Sequence, residues 1–204
     1  MKLFVFDTET ISLNKSFIYN LGYCIVESET GEILVQRDFV IKQVYENKPL
    51  FATAYYANKR PLYTSKMKGK KCRKVNWGDA CRIMLKDIKE NGIKKVFAYN
   101  SDFDEKAFYF NHLFFKNKRR PLDYVVVNDI MDYIKPLIKT KEYKDFCKSN
   151  NYLTGSNRVK QTAEIVYRFI KNDNGFIEEH TALNDSLIES EILLYCMKNY
   201  GVNQ

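Results

Sequence analysis

Three short segments hold residues whose types and spacing can do chemistry. The first closes an apolar run, Phe4-Val5-Phe6-Asp7-Thr8-Glu9. Asp7 and Glu9 are two apart, so on a strand both side chains leave the same face. Two anions side by side at the end of a core strand are costly unless a cation lies between them. The competing reading is a strand that runs out into solvent. The second segment is Tyr99-Asn100-Ser101-Asp102-Phe103-Asp104, where a buried strand meets a helix start. Asp102 reads as the helix cap, worth about 1 kcal/mol. Asp104 then lies in the first turn, where the helix dipole favours an anion. From there it can face the strand ends, the usual ligand position in open α/β sheets; dipole complementation alone also accounts for it. The third segment is Glu178-Glu179-His180-Thr181-Ala182-Leu183-Asn184-Asp185. Thr181 reads as a cap, with Asp185 in the first turn and His180 just outside. Of the 2 histidines, His112 sits mid-helix among apolar and aromatic residues and reads as structural. His180, at a loop–helix junction beside a carboxylate, is better placed for proton transfer.

Positioning these residues requires an ordered set of elements. Residues 2–6 read as a buried strand, and 20–28 and 32–41 as a hairpin turning at Thr30-Gly31. Helices are expected at 77–91, capped by Asn76, and at 103–116; strands at Lys95–Tyr99 and 123–127. Further helices are expected at 129–138, 141–150, 161–172 and 182–199, the last burying Leu183, Leu187, Ile188, Ile192 and Leu194. Residues 42–75 show no clear period, are rich in Tyr and Lys, and read as an insertion rather than a core element. The order of elements predicts an α/β layered domain around one mixed sheet.

The chain has 204 residues and a net charge of +8, from 33 basic and 25 acidic side chains. Between Asn47 and Gly78 there is no Asp or Glu, and nine Lys and Arg lie there. Without that segment the chain is nearly neutral. A local basic patch attracts polyanions, of which nucleic acid is the commonest; a solvated loop is the alternative. No run approaches the roughly 18 apolar residues of a membrane span, and the N-terminus has no signal-peptide core, which argues against a membrane or secreted protein. The 5 cysteines are odd in number, widely spaced and without a CxxC pair, which favours reduced thiols in a cytoplasmic setting. Most of the aromatic residues read as core. Phe103 stands out because it adjoins Asp104, and Tyr55, Tyr56 and Tyr63 fit either base stacking or loop anchoring.

Taken in order, the three segments resemble the motifs of the DEDDh 3′–5′ exonucleases, the superfamily of the polymerase III proofreading subunit and ribonuclease T. The matching residues are Phe6-Asp7-Thr8-Glu9-Thr10, Asn100-x-x-Phe103-Asp104 and His180-x-x-x-x-Asp185. Softer similarity covers most of the chain outside 42–75: Ile18 to Gly22 looks like the family's second strand, and the tail from Thr162 to Leu183 looks like small exonucleases of bacteriophages and Gram-positive bacteria. One departure is Ile11-Ser12, where many relatives have Thr-Gly against the terminal nucleotide. The resemblance implies a ribonuclease-H-like fold: a mixed five-stranded sheet flanked by helices, one exonuclease domain over 1–204 with the basic insertion at 42–75. It implies two divalent cations, Mg²⁺ or Mn²⁺, held by Asp7, Glu9, Asp104 and Asp185, with His180 as general base. It implies nucleic-acid contacts from Thr8, Thr10, Asn100 and Phe103, to which the basic segment adds Lys68, Lys70, Lys71, Arg73 and Lys74. The expected substrate is the 3′ end of DNA, released as 5′-mononucleotides in the cytoplasm, a host's if the chain is phage-encoded. The alternatives are a ribonuclease of the same fold, a catalytically inactive nucleic-acid-binding or polymerase accessory module, and a metal-free structural protein.

Overall fold

The computed structural model describes residues 1–12 and 16–201. Strands β1 (Lys2–Thr10), β2 (Ile18–Glu27) and β3 (Ile33–Ile41) form an antiparallel meander, the hairpin turning through Gly31 at positive φ. Helices α1 (Lys42–Tyr45), α2 (Lys48–Phe51) and α3 (Arg60–Lys68) follow, then the edge strand β4 (Arg73–Val75). Next come α4 (Trp77–Glu90), β5 (Lys95–Ala98), α5 (Ser101–Phe114) and β6 (Val126–Asp129). Helices α6 (Ile130–Lys139), α7 (Lys141–Ser149), α8 (Ala163–Lys171) and α9 (Ala182–Tyr200) complete the described chain. The sheet order is β4-β3-β2-β1-β5-β6; β5 runs parallel to β1, β6 parallel to β5, and β4 parallel to β3.

The mixed sheet has six strands rather than five, because the segment at 42–75 supplies β4. That segment is also not outside the core: Tyr45, Phe51, Tyr63 and Cys72 are buried in it. Its apolar residues come singly from short helices, too sparse to set up a period. The strand expected at 123–127 starts later, at Val126, since Pro121–Tyr124 is a 3₁₀ turn.

The sheet has a core on each face. Phe4 and Phe6 point into one, with Tyr23, Phe39, Trp77 and Phe108. Leu3 and Val5 point into the other, with Ile130, Ile134, Ile188 and Ile192 from α6 and α9. By strand alternation Asp7 and Glu9 continue the Leu3–Val5 face, toward α9. Helix α9 buries only part of the set expected of it. Leu183, Leu187 and Leu194 are only half-buried, whereas Asp185, Ser186, Glu189 and Ser190 are buried with Ile188 and Ile192. Ser186 and Ser190 spend their hydroxyls on carbonyls three residues back, at Leu183 and Leu187. All 5 cysteines are free and buried. Among the described residues no helix is long and apolar enough to cross a membrane.

Candidate active site

The site begins with a close approach. Gly22 pairs with Asp7 across β1 and β2. A Cβ at Gly22 would lie 2.0 Å from the Leu183 nitrogen and 2.2 Å from the Ala182 carbonyl carbon. Only glycine admits the first turn of α9 onto the sheet there. That contact brings Asp185 down beside Asp7.

The start of α9 is capped from a distance. Thr181, the expected cap, makes no capping bond; its hydroxyl goes to Glu179 instead. Asn20 of β2, fully buried, takes the role: its Oδ1 accepts from the Ala182 backbone N–H at 2.8 Å and from the Tyr63 hydroxyl at 3.1 Å. Its amide donates to Asp38 at 2.7 Å and to the Phe39 carbonyl. Likewise Asn76 gives no side-chain cap to α4; Gln43 accepts the Trp77 N–H. Asp102 is not the cap of α5 either. The helix starts two residues earlier than expected, at Ser101, after Asn100 in the left-handed region, and Asp102 is exposed and paired with Lys106. The Asn100 backbone N–H donates to Asp129, which fixes the strand-to-helix turn.

Carboxylate oxygens of Asp7, Glu9 and Asp185 lie within 4.8 Å of one another. Asp104 joins from the first turn of α5, buried and bonded by the Thr8 hydroxyl at 2.6 Å. Thr8 is thus a buried partner of Asp104 and also lines the cleft beside Glu9. Burial raises Asp7 to about 7, with the Glu178 charge adding to it. Burial and the Asp7 charge raise Glu9 to about 9. Burial, then the charges of Asp7, Glu178 and Glu9, raise Asp185 to about 10. Asp104 is raised well above the carboxylate range by burial and Asp7. So many carboxylates in one buried spot retain protons unless a cation replaces them.

Two residues missed by the sequence reading belong to the cluster. Glu189, 4% exposed, follows Asp185 by one helical turn. Burial and the charges of Asp7, Asp104 and Asp185 raise it strongly. Glu178 is raised to about 7 by burial, then by Glu164. Asp185 Oδ1 and Glu189 Oε2 are buried with no hydrogen-bond partner. Unmet hard oxygen donors in a group of this charge fit divalent cations such as Mg²⁺ or Mn²⁺.

His180 sits at positive φ at the mouth of the cluster. The Tyr56 ring stacks on its imidazole, centroids 4.8 Å apart and planes 15° apart. Lys59 donates to the carbonyls of Glu179 and His180. Lys66 reaches Glu179 at 2.8 Å and Thr181 at 3.0 Å. Burial, then the Lys59 charge, lowers the His180 pKa, which favours the neutral imidazole with its lone pair. Tyr56, Lys59 and Lys66 all come from the 42–75 segment, and no local motif marks them. A cleft of about 580 Å³ opens beside Glu9, lined by Thr10, Ile11, Tyr55, Tyr56 and Phe103 among others. Tyr63 is wholly buried and anchors the segment, whereas Tyr55 is exposed. His112 is buried against Trp77 and Phe108, as a structural histidine.

Lys68, Lys70, Lys71, Arg73 and Lys74 belong to the stretch that leads from α3 into β4. All five are exposed: Lys68 ends α3, Lys70 and Lys71 lie in the turn after it, and Arg73 and Lys74 are on the edge strand β4. Lys74 stands in register with Val40, Asn20 and Glu9, three strand spacings or about 14 Å away, and is paired with Glu46.

The sequence matches no family model and no curated protein. Solved structures do match. The nuclease domain of 3′hExo, a DEDDh family member, bound to rAMP, superposes with a TM-score of 0.61 at 12% identity, over 98% of this chain and 92% of that one. Exonuclease I of E. coli in complex with a dA16 oligonucleotide gives 0.60 at 12% identity, over 98% of this chain. Exonuclease I of Methylocaldum szegediense gives 0.58 at 13%. The chain spans about 41% of the length of either Exonuclease I. A likeness over nearly the whole chain, to proteins this different in sequence, is a likeness of architecture: the chain is built on the ribonuclease-H-like fold of the DEDDh exonucleases.

Proposed function

We propose that the protein is a divalent-metal-dependent exonuclease that removes 5′-mononucleotides from the 3′ end of nucleic acid, with DNA as the first reading. The observation that carries this is the meeting of Asp7, Glu9 and Asp185 within 4.8 Å, with the buried Asp104 close enough to respond to the Asp7 charge. Asp7, Glu9, Asp104 and Asp185 would hold two cations. When bound, such ions neutralise charge on the scissile phosphate and acidify water.

The remaining work belongs to the chain. His180 takes the proton of the attacking water on the imidazole nitrogen that carries its lone pair. The Tyr56 stack and the Lys59 bonds to the Glu179 and His180 carbonyls hold that ring over the cluster, so orientation is set before substrate arrives. Thr8 fixes the Asp104 rotamer. Phe103, Tyr55 and Tyr56 line the cleft beside Glu9, a setting suited to the terminal base. Thr10 and Asn100 lie at the two strand ends that border the site. The exposed lysines of the stretch from α3 into β4 are placed for the phosphates of the strand further from its end. The unit proposed is one exonuclease domain acting in the cytoplasm.

A ribonuclease of this fold is the second reading, favoured by the likeness to a nuclease domain bound to rAMP. The experiment is product analysis of 3′- and 5′-labelled DNA and RNA oligonucleotides with and without Mg²⁺ or Mn²⁺. Metal-dependent mononucleotide release from the 3′ end is expected. Cleavage that needs no metal, or release from the 5′ end, contradicts the reading, and the ratio of DNA to RNA rates decides between the two substrates.

A further inference from the structure

We infer that Glu178, His180 and Asp185 form a binding site for a transition-metal ion, separate in ligand chemistry from the all-carboxylate site, and that an ion there disables His180 as a base. One ligand atom from each of the three lies within 4.8 Å of the other two. Glu178 borders the cluster without being one of the four carboxylates Asp7, Glu9, Asp104 and Asp185 assigned to the Mg²⁺ or Mn²⁺ ions, and His180 changes what the group prefers. Imidazole nitrogen with two carboxylates suits Zn²⁺ or Co²⁺, whereas Mg²⁺ favours oxygen alone.

Three features preform the site. Asp185 is 5% exposed and its Oδ1 has no hydrogen-bond partner, so a buried acceptor already waits there. The Tyr56 stack and the bond from Lys59 to the His180 carbonyl hold the imidazole. The Glu178 carboxylate lies 3.5 Å from His180 Nδ1, so two donors already face each other. The His180 side chain is 36% exposed, which leaves an entry path and room for water to complete the coordination shell. Lys59 is the opposing charge, and its ammonium is engaged with the two backbone carbonyls.

The consequence follows from the imidazole. A neutral ring has one lone pair and one N–H. An ion that takes the lone pair leaves the proton on the other nitrogen, and the ring can accept no proton from water. Asp185 links this site to the carboxylate site, since the two oxygens of one carboxylate can serve two ions. A transition metal is then an inhibitor of a Mg²⁺-supported reaction, by a route that runs through Glu178. The binding site stands on its own geometry; the inhibition rests on the nuclease reading above.

The test is Zn²⁺ titration of the full chain by calorimetry in saturating Mg²⁺, for wild type, Glu178→Gln, Glu178→Ala and His180→Ala. Thermal unfolding without metal checks that each variant is folded. Wild type should bind one Zn²⁺ that Mg²⁺ does not displace, and each folded variant should bind it at least about 10-fold more weakly, as expected when a metal's ligand environment is broken. Zn²⁺ affinity unchanged in His180→Ala and in both Glu178 variants overturns the site. The second arm adds Zn²⁺ to the Mg²⁺-supported oligonucleotide assay, where inhibition of wild type should be relieved in Glu178→Gln relative to that variant's own Zn²⁺-free rate. Equal Zn²⁺ sensitivity of the two overturns the inhibitory route. Absence of hydrolysis with any metal, beside Zn²⁺ binding that depends on Glu178, supports the site and removes only the nuclease reading.

Discussion

The protein buries carboxylates in two different ways. Asp87 and Asp38 are buried beside hydrogen-bond donors and cations, although Asp38 Oδ2 has only the Lys66 ammonium near it. Asp87 accepts from Tyr23 at 2.8 Å and from Arg37 at 2.9 Å. Asp38 accepts from Asn20 at 2.7 Å and has Lys66 at 3.7 Å. Asp7, Glu9, Asp104, Asp185 and Glu189 are placed differently: what each finds nearby is largely another carboxylate. A paired buried charge supports the fold; an unpaired group of them works against it. The second group persists only if something outside the chain completes it, so the lack of partners is the mark of function.

The contrast breaks most visibly in turnover. Asp7→Asn or Asp185→Asn should abolish metal-dependent hydrolysis in a product assay, with the fold intact by circular dichroism; wild-type turnover in either removes that residue from the site. His180→Ala should lower kcat by roughly 10²–10⁴-fold as the loss of a general base, and a change confined to KM would count against that role.

Stability should move in opposite directions for the two groups. Asp87→Ala strands Tyr23 and Arg37 and should cost about 1–3 kcal/mol in denaturant unfolding. Asp185→Asn should instead raise the melting temperature of the metal-free protein. The pH dependence follows. The cluster's carboxylates ordinarily titrate near 4, and the fold raises them to about 7 for Asp7, 9 for Glu9 and 10 for Asp185. The folded chain therefore binds more protons than the unfolded one across that window. Their stabilising share is complete below about pH 4 and is lost as pH rises through the folded values. Metal-free melting temperatures should fall from acidic to mildly alkaline pH, and saturating Mn²⁺ should flatten the slope; a melting temperature that climbs with pH would contradict the crowding.

The smallest expected effect concerns the exposed half of the basic segment. Replacing Lys70, Lys71 and Arg73 by Gln should leave kcat alone and reduce the salt slope of oligonucleotide binding by about 0.7 per lost phosphate contact. An unchanged slope assigns those side chains to solvent.

Part of this was legible in the sequence, and the boundary has a physical cause. Asp7 and Glu9 closing an apolar strand, Asp104 after a strand–helix junction, and His180 with Asp185 at a helix start are local patterns, and a strand or a helix turn fixes their direction. The helix caps were misread where a remote side chain outcompeted the near one: Asn20 rather than Thr181, Gln43 rather than Asn76. Lys59 and Lys66 were invisible as site residues, and Tyr56 was open between stacking and anchoring, because only the folded path of residues 42–75 carries them to His180. Glu189 was hidden inside an apolar helical stripe, where its partners are β1 and α5 rather than its neighbours in sequence. Gly22 could be quoted, but its purpose appears only when α9 lies on it.

The central claim is that these buried acids exchange protons for metal ions. Proton release on Mn²⁺ binding, measured by calorimetry at neutral pH in buffers of differing ionisation enthalpy, tests it directly. Wild type should release protons as Mn²⁺ binds, and Asp185→Asn should release fewer and bind more weakly. Mn²⁺ binding without proton release, or no Mn²⁺ binding at all, would contradict the account.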